Sequence, residues 1–124
     1  VRIRIEAAGV AQEARLADTP CARAIFAALP ITARANTWGD EIYFAIPVEE
    51  GLDATAAEVV EAGDLGYWPT GRAFCIFFGP TPASTGAEIR PASAVNVVGR
   101  LKGEAREFKK VPPGATIAMT RAAD

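Results

Sequence analysis

The sequence predicts a mainly β domain rolled into a barrel or a sandwich. Three observations point there. Short stretches of alternating apolar and polar residues recur about every ten residues, the spacing of an all-β fold. Only one segment carries a strong helical pattern. The stretch Gly63–Pro82, GDLGYWPTGRAFCIFFGPTP, reads as a hairpin whose second arm is apolar on both faces. Phe74, Ile76 and Phe78 point one way, and Ala73, Cys75 and Phe77 the other. An isolated ribbon could not hold that much apolar surface in water. One face therefore belongs in a barrel or sandwich interior, and the other needs a helix, a loop or a ligand over it.

In chain order, Val1, Ile3 and Ile5 alternate with Arg2, Arg4 and Glu6, the period-2 mark of a half-buried strand. Ala8-Gly9 is a turn, and Val10, Gln12, Ala14 and Leu16 make a weaker second strand. The helix follows. Asp18 or Thr19 caps it, Pro20 suits its first position, and Ala22, Ile25, Phe26 and Leu29 form one apolar stripe before Pro30 stops it. Ile31–Thr37 reads as a strand and Trp38-Gly39-Asp40 as a turn. Ile42, Phe44 and Ile46 against Glu41, Tyr43 and Ala45 make the cleanest strand.

Glu49–Thr55 is a loop, and the Val59-Val60 pair tilts Ala56–Ala62 toward strand. In the hairpin, Pro69 and Thr70 take the corners of the turn, and Gly71 fills the left-handed position. Ala83–Pro91 is a long connection of small and polar residues. Val95, Val97 and Gly99 alternate with Asn96, Val98 and Arg100 in a further strand. Glu104–Lys110 forms a short helix broken by Pro112-Pro113-Gly114, and Ala115–Met119 is the last strand.

With 124 residues and 50% hydrophobic composition, the chain is expected to fold as a single domain over residues 1–124. A net charge of −2 disfavours a nucleic-acid binder, which needs a basic face. No apolar run approaches the ~20 residues of a membrane-spanning helix. Two separated cysteines, Cys21 and Cys75, make no disulfide framework, so a reducing compartment, the cytoplasm, is expected. With no histidine, neither a zinc site nor a histidine-activated cysteine is supported, and no metal or other cofactor is expected. Asp40 with Glu41 or Asp64 could bind a hard cation, but turn capping explains these acids better.

Four blocks carry a resemblance: DTPCARAIFAALPI (18–31), WGDEIYFAIPV (38–48), the Gly63–Pro82 hairpin and VNVVGRLKG (95–103). Together they resemble the small prokaryotic cyclophilin-like proteins, a family of unknown function, over most of the chain. The resemblance implies a closed eight-stranded β-barrel with one or two short helices capping its ends, as in the peptidyl-prolyl isomerases. It also implies how the chain departs from a working isomerase. The strand Glu41–Val48 stands where cyclophilins carry a catalytic arginine and a Q-G-G turn, and it offers neither. Ala73 and Cys75 stand at the positions of the pocket glutamine and a pocket phenylalanine, and Val95 at that of the pocket histidine.

The leading expectation is a non-catalytic binding module for a small molecule or short peptide, with no catalytic residue assigned. Its candidate ligand-binding residues are Tyr43, Phe77, Thr81, Asn96 and Arg72. Tyr43 and Phe77 alternate away from the interior faces of their strands, Asn96 is a polar group on an apolar strand, and Thr81 can donate and accept. The alternative is a weak prolyl isomerase using a relocated arginine, Arg72 or Arg90, as the preorganised donor to the twisted amide. A third expectation is a homodimer that covers the outer apolar face.

Overall fold

The computed structural model describes residues 1–123. Strands β1 (Arg2–Ala7) and β2 (Val10–Leu16) form a hairpin across Ala8 and Gly9, both left-handed at φ 48° and 82° as a two-residue turn of this hand requires. Helix α1 (Pro20–Ala28) is capped by Thr19, whose hydroxyl accepts from the Ala22 N–H at 3.2 Å, and it buries Cys21, Ala22 and Ile25. Next come β3 (Ile31–Arg34), β4 (Asn36–Thr37) and β5 (Glu41–Ala45). A two-residue strand, β6 (Ala56–Ala57), precedes the aromatic hairpin of β7 (Asp64–Trp68) and β8 (Ala73–Phe77). The chain continues through β9 (Val95–Leu101), a 3-10 turn at Ala105–Lys110 and β10 (Thr116–Arg121).

All pairings are antiparallel. Among the described residues the ladder runs β3-β10-β1-β2-β9-β7-β8-β5-β4, with β6 paired to β9 beside this path. The two ends of the path, β3 and β4, flank Ala35 in one continuous stretch of chain. That stretch pairs with β10 through its first half and with β5 through its second. The result is a nearly closed barrel of nine antiparallel strands rather than the expected closed barrel of eight. The difference is the break at Ala35, whose backbone bonds instead to the Gly114-Ala115 turn at 2.8 Å in both directions.

Two further expectations change. The left-handed residue of the hairpin is Arg72, at φ 48°, not Gly71, because Pro69–Gly71 winds into a 3-10 turn closed by the Arg72 N–H on the Pro69 carbonyl. The stretch Ala56–Ala62 supplies only β6 and a single bridge from Val60 to Ile89, not a full strand.

The barrel interior collects the inward faces of every long strand. Ile3, Ile5, Ile42, Phe44, Leu65, Phe74, Ile76, Ile117 and Met119 are all buried there, and α1 plugs one mouth with Ile25. Phe44 and Phe74 face each other across the β5–β8 register with ring centroids 5.7 Å apart. At the other mouth, Phe108 of the 3-10 turn is fully buried.

A second, smaller cluster lies on the outside of the same strands. Cys75 and Phe77 of β8 and Val95 of β9 pack with Val60 and Ile89, which the connecting segments fold back over them. The outward residues of the hairpin therefore find the cover their composition demands.

Candidate functional site

The cover is incomplete. Beside the outer cluster a pocket of about 230 Å³ opens, lined by Trp38, Glu41, Tyr43, Trp68, Pro91, Ala92 and Val95. Period-2 alternation puts Glu41 and Tyr43 on its floor. Ile42 and Phe44 enter the barrel, so the residues between and before them point out. The register sets Glu41 opposite Phe77 and Tyr43 opposite Cys75.

The walls are held in place by identifiable contacts. Trp68 ends β7, and its indole lies against Gly71, where a Cβ would come within 2.7 Å of the ring. Its Nε1–H donates to Ser93 Oγ at 2.6 Å. Tyr43 meets Trp68 nearly at a right angle, with 81° between ring planes and 6.5 Å between centroids. The turn carrying Trp38 docks on the Pro80–Pro82 backbone through Gly39, at φ 61°, where any side chain would strike Pro82 and Thr81 within 3 Å. The Asp40 N–H then donates to the Pro80 carbonyl at 2.9 Å.

Pro91 and Ala92 reach the pocket because the loop before them is pinned. Thr81 Oγ1 donates to the Arg90 carbonyl, and Ser84 Oγ accepts from the N–H groups of Thr81 at 2.9 Å and Arg90 at 3.1 Å.

Glu41 is the unusual member of this set. It is 5% exposed, yet among the described residues no lysine, arginine or backbone N–H bonds its carboxylate. Burial raises its pKa to about 7, and the nearby Cys75 thiol offsets part of that rise. The same contact and its own burial push the Cys75 thiol well above the ordinary range, so Cys75 is a protonated, unreactive neighbour. Lys109 reaches the neighbouring Asp40 at 3.7 Å and does not line the pocket.

The residues singled out from sequence disperse around this site. Tyr43 is in it. Phe77 is fully buried in the outer cluster that supports the floor. Thr81 staples the loop that forms one wall and is 6% exposed. Asn96 points the other way: its Oδ1 accepts from the Asp53 N–H and its Nδ2 donates to the Gly51 carbonyl, both at 2.9 Å, which ties the 49–55 loop to β9. Arg72 is exposed at the hairpin tip and reaches Glu49 at 3.4 Å, outside the pocket. Arg90 pairs with Glu88 at 3.0 Å.

Trp38 and Trp68 were not among the sequence candidates, and Glu41 was weighed only as a cation ligand beside Asp40 and set aside. The signal for Glu41 was partial: a carboxylate two residues before Tyr43, on the outward face of a strand whose partner β8 is apolar on both sides, but adjacent to Asp40 of the turn. Among the described residues no group of three or more Cys, Asp or Glu is placed to hold a metal ion, and no helix is long and apolar enough to cross a membrane.

Comparison with known proteins agrees with this architecture. The model of the Cyclophilin-like family matches residues 1–120. A search of curated proteins finds no match. Among solved structures, the chain is similar to the solution structure of the hypothetical protein AF2241 from Archaeoglobus fulgidus. The two share 44% identity over 98% of this chain and 94% of that one, with a TM-score of 0.82. With the family model spanning nearly the whole barrel, and a solved structure similar at that identity and coverage, the chain belongs to the cyclophilin-like family.

Proposed function

We propose that this cyclophilin-like protein is a binding module for a small molecule, seated in the outer pocket between Trp38, Tyr43, Trp68 and Val95, and that it does not efficiently isomerise prolyl bonds. One observation carries the reading: a concave, mostly apolar pocket holds, among the described residues, one charged side chain, Glu41, at its floor. Small-molecule sites are built this way, with apolar walls for affinity and few polar groups for orientation.

The same observation argues against isomerisation. Twisting a prolyl amide calls for a preorganised donor aimed at it. The lining residues include no arginine or lysine, and the group in the pocket is an acid. Arg72, the relocated arginine considered above, is paired with Glu49 outside the pocket.

The test combines two assays. The chain has two tryptophans, and both line the pocket. In a fragment screen of mixed charge, binders should move both indole N–H resonances, and Ala92→Phe, which fills the pocket from its exposed rim, should abolish the shifts. A protease-coupled assay on a prolyl tetrapeptide should show no acceleration. Clear acceleration that Arg72→Ala removes would replace this reading with the enzyme; a screen without a single pocket binder would remove it.

A further inference from the structure

We propose that the ligand of the outer pocket is a small alkylammonium cation, caged by the rings of Trp38, Tyr43 and Trp68 and neutralised by the Glu41 carboxylate beneath them. This inference rests on the binding-module reading and adds the chemical class of the ligand.

Three features of the site converge on a cation. The first is the arrangement of rings. Tyr43 and Trp68 stand edge to face at 81° to one another, and both line the pocket together with Trp38, so three aromatic rings surround a group seated there. Aromatic faces carry negative potential and attract a cation desolvated against them. The second is the sign of Glu41, which among the described residues is the one charged side chain lining the pocket. A buried carboxylate with no internal cation repels anions, and beside a neutral ligand it stays uncompensated or takes up a proton. An ammonium group supplies the missing counter-charge. The third is size. A volume of about 230 Å³ equals about eight molecules of liquid water, which suits a compact quaternary or methylated amine.

The geometry has a proton consequence. Burial raises the Glu41 carboxyl to about 7, so near neutrality a cation competes with a proton for it. The groups that bear on this carboxyl are few. Cys75 on β8 stays protonated, Tyr43 lies on the same strand, and Lys109 is engaged with Asp40 at the adjoining turn. Glu88 and Arg90 pair with each other away from the pocket lining. A cation therefore binds more tightly as pH rises through 7, and its binding below that pH releases a proton.

Choline and its uncharged isostere 3,3-dimethyl-1-butanol make a matched pair of probes. The readout is the two tryptophan indole N–H signals of the labelled protein. Choline should shift both signals and bind about tenfold or more tightly than the alcohol. Its affinity should rise about tenfold from pH 6 to pH 8, as competition with one proton requires. Glu41→Gln should remove the pH dependence and most of the preference for charge. Tyr43→Leu should weaken choline more than the alcohol, which keeps the cage testable if Glu41→Gln fails to fold. Equal or tighter binding of the alcohol across this pH range would overturn the cation while leaving the pocket as a binding site. Choline binding unaffected by either substitution would overturn the assignment to these residues. Silence of both indoles toward both probes would overturn the inference; the mixed-charge screen then decides the binding-module reading on its own.

Discussion

Strands β5 and β8 serve two cores at once, and the two are unlike. Their inward residues, Ile42, Phe44, Phe74 and Ile76, enter an interior shared with every long strand and with α1. Their outward residues, Glu41, Tyr43, Cys75 and Phe77, meet a small cluster completed by loops from distant parts of the chain. The inner core around them is filled by apolar side chains. The outer cluster keeps an acid at its floor and an open pocket at its side. Native interiors pack densely and keep charge out. A face that breaks both habits, on the same strands that obey them on the other side, is where binding is to be sought.

The contrast can be broken most forcefully from the inside. Phe74→Ala removes a fully buried ring facing Phe44 and should destabilise the fold by about 3–5 kcal/mol, read as the midpoint of denaturant unfolding. Loss of less than about 1 kcal/mol would mean that the inner face is not the core on which the fold depends.

The next effect comes from the outside and depends on pH. The Glu41 carboxyl titrates at about 7 in the folded chain against an ordinary 4.5. A raised acid holds its proton more tightly when folded, so stability falls as pH rises from 4.5 to 7 and is flat above. The span corresponds to about 3 kcal/mol. Glu41→Gln should therefore be more stable than the native chain by about that amount at pH 8 and equal to it at pH 4. A difference that grows toward low pH would have the wrong sign for a buried, unpaired acid.

Smaller effects sharpen the boundary between the two faces. Tyr67 is buried in the barrel, where its hydroxyl donates to the Val48 carbonyl at 2.6 Å and accepts from the Glu50 N–H at 3.3 Å. Tyr67→Phe should cost about 1–2 kcal/mol in thermal unfolding and leave pocket binding unchanged. Tyr43→Ala should do the reverse. Its half-buried ring contributes about 1 kcal/mol to stability, while ligand-induced shifts of the Trp68 indole should be lost.

The fold was largely legible in the sequence because it rests on local regularities. Alternation at Ile42-Tyr43-Phe44 and Phe74-Cys75-Ile76 assigned each side chain to a face, and Thr19-Pro20 marked the start of α1. The break at Ala35 was not legible, since it depends on which strands the two halves of one stretch find as partners. The left-handed residue of the hairpin was misplaced by one position, because a 3-10 turn and a two-corner turn share the same proline and glycine signals.

The site was legible in part. Tyr43 followed from alternation alone. Asn96 did not, because a polar residue on an apolar strand equally suits a loop anchor, and Asn96 bonds Gly51 and Asp53. Glu41 was hidden for a different reason. At the start of its strand beside Asp40 it reads as an acid that caps the turn, and only the fold-back of residues 80–92 turns its surroundings into a buried pocket.

The outer pocket stands or falls with the state of that one carboxyl. Site-resolved carbon NMR of the Glu41 side-chain carboxyl, followed across pH in the unliganded protein, reads it directly. The account predicts a titration midpoint near 7. A midpoint at the ordinary 4.5 of a solvated glutamate would contradict it, and with it the contrast between the two faces of the barrel wall.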